Sequence, residues 1–100
     1  MNIQNHDNQT IVVTGIQELV AANAAQLRDE IRTALPPTCN CLDLDLSSLT
    51  FLDSSGLGAL ISLHKTLRSR NGQLRLLKPM PNIQQILELT RLHRVFEIIH

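Results

Sequence analysis

The sequence predicts an α/β fold with a mixed sheet of four to five strands, a parallel centre and helices packed mainly on one face. Strand-like and helix-like segments alternate along the 100-residue chain, and strand–helix–strand connections require parallel pairing through right-handed crossovers. In residues 39–46, Leu42, Leu44 and Leu46 alternate with polar residues, which indicates a strand with one buried and one wet face. The length predicts one domain, over residues 1–100.

The first half of the chain is predicted to hold three strands and one helix. Strands are expected over residues 2–5, 9–14 and 39–46, and the helix over residues 19–35. Leu27, Ile31 and Leu35 recur every fourth residue, which is typical of a helix with one apolar stripe. The two prolines at 36 and 37 end this helix, because proline cannot continue it.

The second half is predicted to alternate in the same way. A loop over 47–55 is followed by a helix over 56–70, a strand over 73–77 and a third helix that Asn82 caps. The stripe Leu57, Leu60, Ile61 and Leu67 predicts the longer helix. Residues 95–99 form either a last short strand or an apolar tail packed on the core.

Composition excludes several classes of function. The formal net charge is zero and there is no Tyr or Trp, which argues against nucleic-acid binding. No apolar run is long enough to span a bilayer and no leader-like start is present, so a cytoplasmic protein without membrane insertion is expected. Cys39 and Cys41 are interpreted as free thiols, and neither a metal nor a cofactor is expected.

The run Asp53, Ser54, Ser55 and Gly56 stands where a helix is predicted to begin. Asp and Ser are the common helix-capping residues, so one interpretation is purely structural. A helix start also carries partial positive charge and free N–H donors, which would tolerate a phosphate on a serine hydroxyl. Such a phosphate adds nearly two negative charges to the surface. Both interpretations stay open on these residues alone.

The chain resembles the STAS domain family, in particular bacterial anti-sigma factor antagonists. The resemblance extends over nearly the whole chain, and residues 53–58 (Asp-Ser-Ser-Gly-Leu-Gly) carry its most specific part. Weaker matches are Val-Thr-Gly at 13–15, Leu-Asp-Leu-Ser at 44–47, Gly-Gln-Leu at 72–74 and Ile-Gln-Gln-Ile-Leu at 83–87. The resemblance implies a single STAS-like domain.

The resemblance also implies a mechanism. Ser54, which directly follows the aspartate, would be phosphorylated by a partner of the ATPase-fold type that is both serine kinase and anti-sigma factor; Ser55 is the alternative acceptor. The unphosphorylated form would bind the anti-sigma factor and free a sigma factor, and a separate phosphatase would reset the phosphoserine. The family implies a monomer that is not an enzyme.

The expected partner-binding face combines the helix start with the exposed side of the helix. Its residues are Asp53, Ser54, Ser55, Gly56, Leu57, Gly58, Ser62 and Lys65. Family members usually carry Gly-Glu-Leu/Ile-Asp after the second strand, whereas residues 15–20 here are two residues longer and Val20 replaces the aspartate. An adapted partner and a divergent role therefore both stay open.

Two other functions compete with this interpretation. STAS domains also serve as adaptor subunits of lipid-trafficking ABC transporters and of chemotaxis or stress-signalling assemblies. An enzyme would need a base for the Ser54 hydroxyl, and the candidates are His64 and His93. His64 lies on the predicted apolar stripe and is interpreted as a satisfied, partly buried side chain. No Gly-x-Ser-x-Gly elbow or phosphate-cradling glycine loop is present, so binding is favoured over catalysis.

Overall fold

A computed structural model describes residues 1–7 and 9–100 of the chain. The elements are β1 (Asn2–Asn5), β2 (Thr10–Thr14), β3 (Glu18–Leu19), α1 (Ala24–Ala34), β4 (Cys41–Asp45), β5 (Phe51–Leu52), α2 (Ser54–Arg68), β6 (Gln73–Leu77), α3 (Pro81–Leu89), a 3₁₀ turn (Leu92–Arg94) and β7 (Glu97–Ile99). Of the helices in these described ranges, none is long and apolar enough to cross a bilayer.

Five strands form one sheet in the order β1-β2-β4-β6-β7. β1 pairs with β2 antiparallel, and each of the other neighbours is parallel. The predicted mixed sheet with a parallel centre is therefore confirmed. The last apolar segment is a strand, because β7 pairs with β6 and places Ile98 beside Leu76.

One face of the sheet and the three helices share a single aliphatic core. The sheet contributes alternate residues of its three central strands: Ile11, Val13, Leu42, Leu44, Leu74 and Leu76. The helices contribute Leu27, Ile31, Leu60, Leu63, Leu67, Ile83 and Leu87. Each such side chain stabilises the fold by roughly 1.5–3 kcal/mol when it leaves water. This packing is the physical reason that the helices lie on that face.

The opposite face differs from the prediction at Asp43, which is only 5% exposed. Its carboxylate accepts two hydrogen bonds from Arg75 on the adjacent strand, from Nε at 2.7 Å and from Nη2 at 2.6 Å. Asp43 and Arg75 are register partners across β4 and β6. The expectation of a fully wet face is wrong here, because the long arginine side chain covers the carboxylate.

The amino-terminal boundaries of both longer helices differ from the prediction. α1 begins at Ala24 rather than at residue 19, because Glu18 and Leu19 form β3, which pairs with β5 in a second, two-stranded parallel sheet. α2 begins at Ser54 rather than at Gly56, because Asp53 occupies the N-cap position. The short β3–β5 sheet carries no periodic pattern that the sequence could reveal.

Asn82 does not cap α3, and that prediction is wrong. Pro81 takes the first helical position, where its missing N–H is not needed, and Met80 precedes it. The Asn82 amide instead donates to the carbonyl of Thr50 at 3.1 Å. This bond fastens the start of α3 to the residue before β5.

Cys39 is buried, Cys41 is half-buried, and both are free thiols as expected.

Candidate functional site

The carboxylate of Asp53 joins two parts of the chain at the start of α2. Oδ1 accepts the Gly56 N–H at 3.0 Å, which is a helix cap. Oδ2 accepts the Ala21 N–H at 3.0 Å, from the turn between β3 and α1. The Gly56 bond is the main cause that holds the pKa of Asp53 below its usual range; burial opposes it, and the Ala21 bond adds a smaller lowering effect. The carboxylate is therefore ionised at neutral pH.

Ser54 and Ser55 are the first two residues of α2, and both are exposed. Their position leaves the hydroxyls beside the positive end of the helix macrodipole. Among the residues that the structure describes, neither hydroxyl makes a hydrogen bond. A reactant can therefore reach either oxygen without breaking a bond within the protein.

Gly56 and Gly58 occupy opposite environments on α2. Gly56 is buried, and a Cβ built on it would lie 2.0 Å from the carbonyl oxygen of Leu19. Gly58 is exposed, and a Cβ built on it would have no atom within 4 Å. The fold therefore requires glycine at 56, where β3 approaches the helix, and leaves open space at 58.

At the far end of the predicted partner-binding face, two side chains already make hydrogen bonds within the protein. Ser62 is half-buried and its hydroxyl accepts a hydrogen bond from the Arg32 guanidinium on α1. The Thr66 hydroxyl donates to the Ser62 carbonyl at 3.1 Å. The side chains of Ser62 and Thr66 therefore already have hydrogen-bond partners within the protein. Lys65 is exposed, and Leu57 is half-buried against the core.

Phe51 is a surface residue that the sequence did not single out. It is 66% exposed although it is one of the two aromatic residues of the chain. As part of β5 it pairs with Glu18 and lies two residues before Asp53. An exposed phenylalanine three residues before Ser54 in the sequence is the kind of residue that partner surfaces use. Its apolar neighbours in sequence made it indistinguishable from a core residue.

Neither candidate base reaches Ser54. His64 lies ten residues along α2, about 15 Å away at 1.5 Å per residue. Its ring packs edge-on against Phe96 with centroids 5.5 Å apart, and its buried Nδ1 has no hydrogen-bond partner within residues 1–7 and 9–100. The interpretation of His64 as a satisfied side chain is therefore wrong. His93 Nδ1 lies 3.4 Å from the Leu87 carbonyl. No nucleophile–base pair forms around Ser54 in the described residues.

Comparisons with known proteins agree with this fold. A family model described as STAS domain matches residues 1–100. The anti-sigma F factor antagonist of Paenibacillus polymyxa is 26% identical over 98% of this chain and 87% of its own length. A Thermotoga maritima crystal structure, described as a candidate anti-sigma factor antagonist, has TM-score 0.91 at 24% identity over 99% of this chain and 85% of its own.

Structures of the anti-sigma factor antagonist SpoIIAA in an unphosphorylated and a phosphorylated form are also similar to this chain. The unphosphorylated form has TM-score 0.83 at 22% identity, over 99% of this chain and 87% of that one. The phosphorylated form, from Bacillus, has TM-score 0.76 at 23% identity, over 99% and 90%. At these identities the structures show a shared fold.

Proposed function

Because this chain belongs to the STAS domain family, we propose that it is an anti-sigma factor antagonist whose partner binding is switched off by phosphorylation of Ser54. Two curated relatives named anti-sigma factor antagonists match 98% of the chain, which supports the antagonist part of the proposal. The observation that carries the proposal is the exposed Ser54 hydroxyl, which lies at the first position of α2 directly behind the Asp53 cap and makes no hydrogen bond to any residue that the structure describes.

The chemistry requires a separate kinase, because no base in the described residues reaches Ser54. The Ser54 oxygen forms a bond to the γ-phosphorus of ATP, the bond between that phosphorus and the ADP oxygen breaks, and the hydroxyl proton passes to the kinase. The phosphate carries about −1.5 to −2 charges at neutral pH. The helix start offsets part of this charge, so the fold tolerates the modification.

The same phosphate is unfavourable for a docked partner. Asp53 is already ionised one residue away, so phosphorylation concentrates negative charge at one point of the surface. We place the partner face around this point, on the exposed parts of residues 53–58, on Lys65 and on Phe51. The open space beside Gly58 lets a partner approach the α2 backbone closely. A partner of the ATPase-fold kinase type would bind there, and a phosphatase would reset Ser54.

The first test maps the modification. The purified protein is incubated with ATP and an ATPase-fold serine kinase encoded beside its gene, and the phosphorylated residue is identified by mass spectrometry. We expect Ser54→Ala to lose the label, and Ser55→Ala and the exposed loop variant Ser48→Ala to keep it. Labelling of Ser54→Ala at the wild-type level would contradict the assignment and make Ser55 the acceptor.

The second test measures the consequence for binding. Ser54→Asp is expected to lower affinity for the anti-sigma factor at least about tenfold, which corresponds to about 1.4 kcal/mol. Its urea unfolding midpoint should be at least as high as that of Ser54→Ala, because the helix start stabilises negative charge. An aspartate variant that binds as tightly as the alanine variant would contradict the switch.

A further inference from the structure

We propose that Asp53 couples the phosphorylation state of Ser54 to the turn of residues 20–23, between β3 and α1. This inference rests on the proposed phosphorylation of Ser54 and assigns to Asp53 a positioning role beyond capping the helix. In the unphosphorylated protein Asp53 fastens the 20–23 turn to α2, and phosphorylation releases it.

Side-chain hydrogen bonds hold the 20–23 turn in place. Asn23 contributes two of them: its Oδ1 accepts the Val20 N–H at 2.8 Å, and its Nδ2 donates to the Glu18 carbonyl at 2.8 Å. Both bonds stay within the turn and its preceding strand. The bond from the Ala21 N–H to Asp53 Oδ2 spans 32 positions of sequence. Among the side-chain bonds of the described residues, it is the one that links the turn to the start of α2.

The turn of residues 20–23 is exposed to solvent although hydrogen bonds hold it in place. Ala21 and Ala22 are exposed and Val20 is half-buried, so the turn buries little apolar area that could hold it. The buried residues Leu19 and Ala24 anchor the two ends of the turn by packing, and the Asp53 bond holds its exposed middle, at Ala21, against the start of α2. A turn that is already ordered costs less free energy to fix when a partner binds.

A phosphate on Ser54 competes with Asp53 for the same donors. The phosphate oxygens can accept from the unpaired N–H groups of the first turn of α2, and Asp53 Oδ1 already takes the Gly56 N–H there. The two groups are one residue apart and both are anionic, so their mutual repulsion favours displacement of one of them. The phosphate carries the larger charge and has more acceptor oxygens. The carboxylate therefore moves away, and Oδ2 leaves the Ala21 N–H.

Two variants distinguish the effects of the two hydrogen bonds that the Asp53 carboxylate accepts. Asp53→Ser keeps a helix cap of similar quality, but one hydroxyl cannot accept both the Gly56 and the Ala21 N–H. Asp53→Ala removes both bonds and shows the full effect of losing the cap. Asp29→Ser, at an exposed position of α1, is the matched control for the chemical change.

The decisive measurement is hydrogen exchange of the Ala21 amide in the full chain, with and without phosphoserine at position 54 introduced during translation. We expect exchange about tenfold faster in the phosphoserine protein and in Asp53→Ser, because one charge-assisted bond is lost. Amides of the central strand β4 should exchange at the wild-type rate in both. An Ala21 amide that is as protected in the phosphoserine protein as in the unmodified one overturns the proposal.

Binding measured on the same samples separates this inference from the proposed function. If phosphoserine abolishes anti-sigma factor binding while Ala21 stays protected, the switch stands and the coupling through Asp53 is overturned. If Ala21 exchange accelerates, the coupling is supported whether or not the partner is released. A positioning role for Asp53 is supported if Asp53→Ser has an unfolding midpoint close to that of Asp29→Ser but binds the partner much more weakly. Equal affinities for the two variants count against that role.

Discussion

At the scale of single residues, Gly56 and Gly58 lie two positions apart but have different structural roles. Gly56 is required by the fold, because the carbonyl oxygen of Leu19 lies where its Cβ would be. Gly58 stands in an exposed helical position with no atom near its missing side chain. Glycine within a helix is less stable than alanine by roughly 0.5–1 kcal/mol. A residue that costs stability without a packing reason suggests that the open surface itself is used.

We predict opposite effects of alanine at these two positions. Gly58→Ala should raise the free energy of unfolding by about 0.5–1 kcal/mol. It should also weaken binding of the anti-sigma factor, because the added methyl group fills the space through which a partner would contact the α2 backbone. Gly56→Ala should lower the free energy of unfolding by about 1–3 kcal/mol, because β3 must move to admit the methyl group.

Urea unfolding and a binding titration on both variants check the prediction. A Gly58→Ala protein that is more stable and binds with undiminished affinity would remove Gly58 from the partner face. A Gly56→Ala protein as stable as wild type would contradict the close approach of Leu19.

At the scale of elements, α2 carries both the candidate site and an unusual packing contact. Its first turn holds Ser54, and its third turn holds His64, which packs edge-on against Phe96 just before β7. The buried Nδ1 of His64 has no partner in the described residues. Burial, followed by the nearby charge of Arg68, lowers the pKa of His64 from its ordinary value of 6.5. The contact between α2 and the carboxyl-terminal segment therefore favours the neutral form of the His64 imidazole.

We predict that this contact makes the protein sensitive to mild acid. The folded state disfavours protonation of His64, whereas the unfolded chain binds the proton near pH 6.5. The stability that the neutral His64 contributes is therefore fully present above about pH 6.5. It decreases as the pH falls through the lower pKa of His64 in the folded state. His64→Leu should lose less stability than wild type between about pH 7.5 and 5.5.

Urea midpoints at the two pH values measure this difference. His6→Gln, at an exposed position, is the control and should behave as wild type. Equal acid losses in His64→Leu and wild type would show that His64 does not set the pH dependence.

At the scale of the whole molecule, the ion pair of Asp43 and Arg75 connects β4 and β6, two of the three central strands, on the face without helices. β4 and β6 lie in the middle of the sheet order, and the two bonds of the pair are short and bidentate. Pairing with Asp43 holds the pKa of Arg75 above its usual value. Glu97, the register partner of Arg75 on β7, adds a second negative charge beside it.

We predict that breaking the pair from one side is much more damaging than removing both partners. Arg75→Ala should lower the free energy of unfolding by roughly 1.5–3 kcal/mol, because the Asp43 carboxylate loses both charge-assisted hydrogen bonds and regains only part of its hydration. The double variant Asp43→Leu/Arg75→Leu should lose much less, since no buried charge is left unpaired.

Urea unfolding of the single and double variants checks this result, with Arg91→Ala at an exposed position as the control. A double variant as unstable as Arg75→Ala would show that the ion pair is not the reason for the loss.

Local patterns were sufficient for most of the architecture. The alternation through residues 41–45 marks β4, the apolar spacing of Leu27 and Ile31 marks α1, and the order of elements implies a mixed sheet with a parallel centre. Periods of two and of about four residues are set by backbone geometry, so the sequence reveals them directly. The same holds for the Asp-Ser-Ser-Gly run at a helix start, because capping depends on adjacent residues.

Tertiary structure alone decided the features that join distant parts of the chain. The bond of Asp53 to Ala21, the pair of Asp43 with Arg75 and the pairing of β3 with β5 each link residues more than 30 positions apart. The exposure of Phe51 follows from where β5 lies on the surface. Such contacts depend on how the elements pack, and a segment's own sequence does not encode which distant group will lie beside it. The chain itself therefore determined that a serine stands at a helix start, and the packing determined what surrounds that serine.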